Sequence, residues 1–397
     1  MDLGFLRPLY ENPPGWPASG YVSVYLDTTP KENAPNEVAL RLRSAREALA
    51  AAGADQATLD AVLAANLDHV HARSHALFAA GGAVRLHGIM PQSPSLGESS
   101  GYAPLPHVVP WLAQRPPRLP HVRVSANREG GQVLAVPGAW PETQAGLETA
   151  MLGLTEITGE SWPVHKARGG GWSEPRFERS TEETWAETAK KIAAAVTHAA
   201  DGVKAVFVVL GGDIRERDLL AGALPTALRD NLVIVDREVE LAAPAFDKAA
   251  WAEETRRAAA DASVRLDEFR AQLDRPPSER RAVRGLDGTL TALRDGLVSD
   301  VLIAVGPDDP PAPDGPAGPD GPRTAWIGPG MADAAAGRDQ LTERGISDPV
   351  TDLAAEALAR AAAGTGAELH FTDADPAETG WVAALLRAPA TAVEPSA

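Results

Sequence analysis

Two proline-dense stretches decide how this chain can be divided. The segment QRPPRLP sets Pro116, Pro117 and Pro120 close together, and proline fixes φ and removes an N–H that a helix or sheet ladder needs. A domain boundary is expected there. The second stretch, GPDDPPAPDGPAGPDGP at 306–322, is too rich in proline and glycine to pack and is expected to be a disordered insertion. A third break, at Pro276 and Pro277, ends a long helical pattern that starts near Asp247. With 397 residues and 44% hydrophobic content, the chain is long enough for two or three separate cores.

Between these breaks the hydrophobic pattern alternates between strand and helix. YVSVYLD at 21–27 reads as a strand, and helical spacing runs from Asn36 to about Ala52 and from Asp55 to Ser74. ALFAA and AVRLHGI flank Gly81-Gly82, a pair that permits positive φ and so reads as a hairpin turn. HVRVSA and QVLAVP form a second hairpin, and TEIT is a further strand. The polar loop HKARGGGWSEPRFER follows, and then a helix from about Thr181, with Ser180 and Glu183 spaced as a capping box. VKAVFVVLGG and NLVIVDR read as buried strands around the helix RERDLLAGALPTALRD. In the last third, LDGTLTALRDG and DPVTDLAAEALARAAAG read as helices, and VLIAV, TAWIGP and AELHFTD as strands, before a final apolar WVAALLR. The fold class is therefore α/β.

Composition excludes several functions. Zero cysteines remove disulfides and thiolate metal sites, which leaves histidine and carboxylates as the only strong ligands. His71 and His75 have the i, i+4 spacing of a chelating pair, with His69 nearby, but lack the glutamate of the metalloprotease pattern; they read as scattered surface histidines, and no metal or cofactor is expected. No long apolar run and no signal-like start are present, so a cytoplasmic protein with no membrane partner is expected. The net charge of −17 opposes general RNA binding. Charge acts locally, however, and a basic loop on an acidic body can still engage phosphate.

The order of elements resembles the bacterial branch of the archaeo-eukaryotic release-factor and Pelota superfamily over nearly the whole chain. KARGGGWSEPRFER is similar to that family's catalytic loop, R-G-G-Q-S-x-x-R-F before a long helix. The resemblance implies three domains: a release-factor-like α/β domain at 1–117, an RNase H-like middle domain at 118–244, and an αβα domain at 245–397. The last is like the kink-turn-binding ribosomal proteins and carries the 306–322 insertion. Setting Arg176 and Phe177 on the family's R-F puts Gly170 and Gly171 on its glycines and Trp172 on its glutamine. That glutamine helps position a water at the peptidyl-tRNA ester, and an indole, with one N–H and no acceptor, does not replace it. No catalytic residue is therefore assigned. A literal Gly-Gly-Gln at 130–132 falls in a hairpin and reads as a structural turn.

The candidate ribosomal RNA contacts are Lys166, Arg168, Gly169, Gly170, Gly171, Trp172, Arg176 and Arg179, which combine positive charge with one aromatic. A second candidate set is Arg41, Arg43 and Arg46, placed to touch phosphates; the alternative is a solvated helix face paired with Glu37 and Glu47. The stop-codon-reading motifs of decoding family members are absent. The resemblance thus implies a non-catalytic factor in the A site of idle ribosomes, like the Balon-type hibernation factors, with an EF-Tu-like translational GTPase as a partner. The alternative is a peptidyl-tRNA hydrolase or nuclease of ribosome rescue, with Glu174 or Arg168 in place of the glutamine. For a nuclease, Asn127 stands where a strand carboxylate is needed, and only Asp213 and Asp236 follow the later strands.

Overall fold

The computed structural model describes residues 1–11, 16, 19–28, 34–65, 74–90, 99–115, 117–127, 130–138, 154–158, 174–236, 241, 244–305 and 323–389. By contact it divides into two compact units, Met1–Pro116 with Arg257–Ala397, and Pro117–Arg256. The first boundary falls in the QRPPRLP stretch. The segment 306–322 lies outside the described residues.

The chain opens with the short helix α1 (Arg7–Tyr10), then β1 (Tyr21–Asp27), α2 (Ala34–Ala51), α3 (Gln56–Leu63), β2 (Ser74–Ala80), β3 (Ala83–Met90), β4 (Ser99–Ala103) and α4 (Val109–Gln114). The strands form an antiparallel sheet in the order β3-β2-β1-β4. Gly81 and Gly82 both hold positive φ at the β2–β3 turn, as the hairpin requires. Alternation along β1 sends Val22, Val24 and Leu26 into a core with Leu42, Leu49, Leu59 and Val62 of α2 and α3, while Tyr21 and Tyr25 enter a different core on the other face. The expected helix to Ser74 is corrected: α3 stops at Leu63, and Ser74 and His75 belong to β2, whose pairing with β1 and β3 outweighs the local helical spacing. His69 and His71 lie outside the described residues.

The middle unit holds β5 (His121–Asn127), β6 (Gly130–Val136), β7 (Leu154–Thr158), α5 (Glu174–Val203), β8 (Phe207–Gly212), α6 (Ile214–Ala223), α7 (Thr226–Arg229) and β9 (Leu232–Ile234), followed by α8 (Pro244–Leu273), which continues past the unit boundary. Strand order is β7-β6-β5-β8-β9, with β6 antiparallel to both neighbours and β8 and β9 parallel to β5. This is the RNase H-like topology expected from the sequence. One face packs on α5 and α6 through Val122, Val124, Ile192, Val196 and Leu220, and the other on Phe246 and Ala250 of α8. α5 starts at Glu174 rather than near Thr181, so Ser180 and Glu183 stand within the helix and not at its start. Pro175 stands in the first turn, where its missing N–H costs nothing. The helix expected over RERDLLAGALPTALRD is broken in two at Leu224-Pro225.

The remainder comprises β10 (Ala282–Arg284), α9 (Leu286–Arg294), β11 (Val298–Ala304), β12 (Thr324–Ile327), β13 (Ala334–Ala335), α10 (Arg338–Thr342), β14 (Val350–Leu353), α11 (Ala354–Thr365), β15 (Glu368–Thr372), α12 (Pro376–Thr379) and β16 (Val382–Leu386). The main sheet, β10-β16-β11-β15, packs Leu266 and Phe269 of α8 on one face and α9 and α11 on the other, an αβα sandwich; β12, β13 and β14 make a small separate sheet. DPVTDL begins with strand β14, so the helix expected from Asp348 starts only at Ala354. From Ala354 to Ala363 every residue of α11 is buried, because the helix lies between this sandwich and the N-terminal segment. Phe78 and Trp111 share that core with Leu290, Val301 and Leu358, so the first and last thirds of the chain are one packed body.

Candidate functional site

In the middle unit, β5 and its parallel neighbour β8 end side by side. Gly212 closes β8 with φ 128°, and a Cβ there would stand 1.9 Å from the Ala126 carbonyl oxygen. The chain then turns into α6, with the Asp213 carboxylate accepting the Arg215 N–H at 3.0 Å as its cap. Beside this turn is a small pocket, partly open to solvent, with room for about one water molecule. It is lined by Ala126 and Asn127 of β5, Trp185, Thr188, Ala189 and Ile192 of α5, and Glu216 and Leu220 of α6. Glu216 is 7% exposed.

In the described part of the middle unit, the carboxylates that the sequence pointed to do not converge at this pocket. Asn127 is an amide, Asp213 caps a helix, and Asp236 is ion-paired to the buried Arg217 at 3.0 Å. Two-metal chemistry requires several carboxylates aimed at one point. What the pocket offers is an indole, an amide and one buried acid.

At the other end of β5, His121 stacks on Phe207 with ring centroids 4.7 Å apart. Its Nδ1 lies 2.9 Å from the Leu119 carbonyl, and Nε2 faces the Arg123 Nε–H at 3.2 Å, so the neutral tautomer with the proton on Nδ1 fits both. Burial and the neighbouring Arg123 guanidinium push its pKa down to about 3.

Gly130, Gly131 and Gln132 open β6 and pair with Asn127, Ala126 and Ser125 of β5. A Cβ on Gly131 would lie 2.8 Å from Ile192 Cδ1, and Gln132 donates from Nε2 to Glu156 Oε1 at 2.9 Å. Gly130 holds a positive φ of 144°, so both glycines have a local structural reason, and Gln132 makes an exposed cross-strand hydrogen bond.

The loop with Lys166, Arg168, Gly169, Gly170, Gly171 and Trp172 lies outside the described residues, between the end of β7 at Thr158 and the start of α5 at Glu174. Arg176 and Arg179 stand in the first two turns of α5. On α2, Arg41 donates to the Asp27 carbonyl and pairs with Glu37 at 3.3 Å, and Arg46 pairs with Asp60 at 3.6 Å; Arg43 is exposed. The structure thus ties two of these three arginines to the body, and the Glu37 pairing is the helix-face alternative read from the sequence.

Sequence reasoning missed a titratable cluster in the other unit. His370 of β15, 5% exposed, has Nε2 at 3.0 Å from Asp300 Oδ1 of β11 and Nδ1 at 3.4 Å from Asp261 Oδ2 of α8, with Glu368 Oε2 at 3.6 Å from Nε2. Its members come from three separate elements, α8, β11 and β15, and the parallel pairing of β11 with β15 sets Asp300 beside Glu368. No helix among the described residues is long and apolar enough to cross a membrane.

Comparison with known proteins finds similarity in the middle of the chain and over most of its length. Residues 120–275 match the family model described as bacterial archaeo-eukaryotic release factor family 2, so the middle of the chain is release-factor-like in sequence. The uncharacterized protein Rv2629 of Mycobacterium tuberculosis H37Rv is 29% identical over 360 residues, 88% of each chain, and MT2704 of the CDC 1551 strain matches to the same extent. Among solved structures, the archaeal translation termination factor aRF1 aligns over 98% of both chains at 14% identity and TM-score 0.23. Archaeoglobus fulgidus Pelota aligns over 79% of both at 15% identity and TM-score 0.35.

Proposed function

We propose that this protein is a release-factor-like translation factor that occupies the vacant A site of idle ribosomes without hydrolysing peptidyl-tRNA. The observation that carries the reading is the family match over residues 120–275, which spans the loop holding Trp172 where the release-factor loop has its glutamine. Lys166 and Arg168, with Arg176 and Arg179 at the start of α5, would contact RNA backbone, and Trp172 would stack on a base. Arg43 on α2 would add one phosphate contact near the decoding centre. An EF-Tu-like translational GTPase is the proposed delivery partner, and protection of ribosomes in starved cells the proposed role.

Cosedimentation with vacant and with translating ribosomes tests this. Binding restricted to vacant ribosomes, weakened by Trp172→Ala and by the Lys166→Ala/Arg168→Ala pair, is the expected result. An absence of binding at low salt would overturn it. Release of labelled peptide from stalled complexes by the wild-type protein would instead identify a hydrolase.

A further inference from the structure

We propose that Asp261, Glu368 and His370 form a binding site for one divalent transition cation, of the zinc or manganese kind, with Asp300 as the group that orients the imidazole. One ring nitrogen of His370 and one carboxylate oxygen each of Asp261 and Glu368 lie within 4.8 Å of one another. In a zinc site with metal–ligand bonds of about 2.0–2.2 Å, ligand atoms are about 3.3–3.5 Å apart, so a modest movement gathers them. The two carboxylates can supply that movement. Their side chains are 48% and 49% exposed, whereas the His370 side chain is 3% exposed and held in the middle of β15.

A second feature separates this cluster from a mere collection of acids. Both ring nitrogens of His370 face carboxylate oxygens, Nε2 toward Asp300 at 3.0 Å and Nδ1 toward Asp261 at 3.4 Å. Glu368 Oε2 lies 3.6 Å from Nε2 as well, so three carboxylates surround the ring. A ligating histidine is neutral, and with its one N–H given to Asp300 the Nδ1 lone pair would face Asp261, with the cation between the two. Asp300 accepting the far N–H of a ligating histidine is the usual means of fixing tautomer and ring angle around a bound metal.

The positive charges nearby set the limits of the site. Arg265 Nε is 3.3 Å from Asp300 and 3.8 Å from Asp261, and the Met1 ammonium is 3.3 Å from Glu368. Arg265 therefore holds Asp300 in its orienting role, and Asp261 and Glu368 supply the charge for the cation. A hard ion that prefers all-oxygen shells, such as Mg²⁺, has less use for the imidazole. Such a cation would join α8 to β15, the same connection the side chains now make by hydrogen bonds and ion pairs.

Isothermal titration of the full chain with zinc chloride and, separately, with manganese and magnesium chloride tests the proposal. The expected result is one saturable zinc or manganese site per chain, with magnesium weaker. His370→Gln, which keeps a donor toward Asp300, should weaken binding at least 100-fold, and Asp300→Asn by about 10- to 100-fold. His75 and His87, 2.6 Å apart between ring nitrogens, are the rival zinc ligands, and His75→Gln should leave the site intact. Visible absorption of the Co²⁺-substituted protein, altered in His370→Gln, would confirm a nitrogen ligand. No saturable site in the wild type, a site unchanged by His370→Gln, or a site lost in His75→Gln would each overturn the proposal. A proton on Nδ1, with no metal bound, is the state the first of these outcomes identifies. The test is independent of ribosome binding.

Discussion

Both carboxylate oxygens of Glu356 accept backbone N–H groups at the start of α4, Oε2 from Val108 at 2.9 Å and Oε1 from Val109 at 3.0 Å. Asp352, in β14 just before the helix, accepts the Leu105 N–H at 2.7 Å. The C-terminal segment thus caps a helix of the N-terminal one from inside the shared core.

Burial raises the pKa of Glu356 to about 8, assisted by Asp352 and opposed by His107 and by the two N–H groups. A carboxyl whose folded pKa is raised contributes stability that is fully present below its unfolded value near 4.5 and is lost as pH rises through about 8. Urea unfolding of the wild type should therefore weaken by a few kcal/mol, to about that order, between pH 5 and pH 9. Glu356→Gln, which cannot ionise, should flatten this slope; an unchanged slope would show that another group sets it.

His121 acts in the opposite direction on pH. Its folded pKa of about 3 lies below the unfolded value of 6.5, so its contribution is present above 6.5 and is lost as pH falls toward 3. The wild-type middle unit should lose stability over that interval. His121→Phe, which keeps the stack on Phe207 but not the two hydrogen bonds, should start less stable at neutral pH and lose less on acidification, as followed by the acid unfolding midpoint.

Gly131→Ala should destabilise the middle unit by about 1–3 kcal/mol, because its methyl would press on Ile192 and the Ser125 carbonyl. Gln132→Ala removes only a half-exposed hydrogen bond to Glu156 and should change stability by less than about 0.5 kcal/mol, with ribosome binding unaffected. A large loss of ribosome binding in Gln132→Ala would give this triplet a role that its hairpin setting does not suggest.

The α2 arginines should separate by readout. Arg41→Ala removes the contact to the Asp27 carbonyl and the Glu37 pair and should lower thermal stability. Arg43→Ala should leave stability unchanged while lowering the salt slope of ribosome binding by about one.

The sheets were readable because β-branched and aromatic runs bounded by glycine and proline leave few alternatives. YVSVYLD became β1 residue for residue, and the Gly81-Gly82 hairpin took its positive φ values as expected. Errors arose where a local pattern was overruled at long range. Ser74 and His75 continued a helical rhythm but pair with strands on both sides, and DPVTDL looked like a helix start but joins β12. The shared core of the two chain ends and the His370 cluster were illegible for the same reason: each depends on residues of separate elements meeting across the packed fold. The candidate RNA loop was legible only as a motif, since its meaning comes from what it resembles.

The alanine-rich α11 sets a timetable for synthesis. Its small buried side chains fill the space behind Tyr25, Phe78 and Trp111, so until the chain has been extended past Ala363 that face of the N-terminal sheet is covered only by nearby residues such as Leu6, Leu9, Val109 and Leu112. At translation speeds of about 5–20 residues per second, the interval after the sheet emerges is on the order of tens of seconds. During it, the part of that core which α11 covers in the finished protein is open to solvent and to other nascent chains, so a lower expression temperature or added chaperone is expected to raise yield.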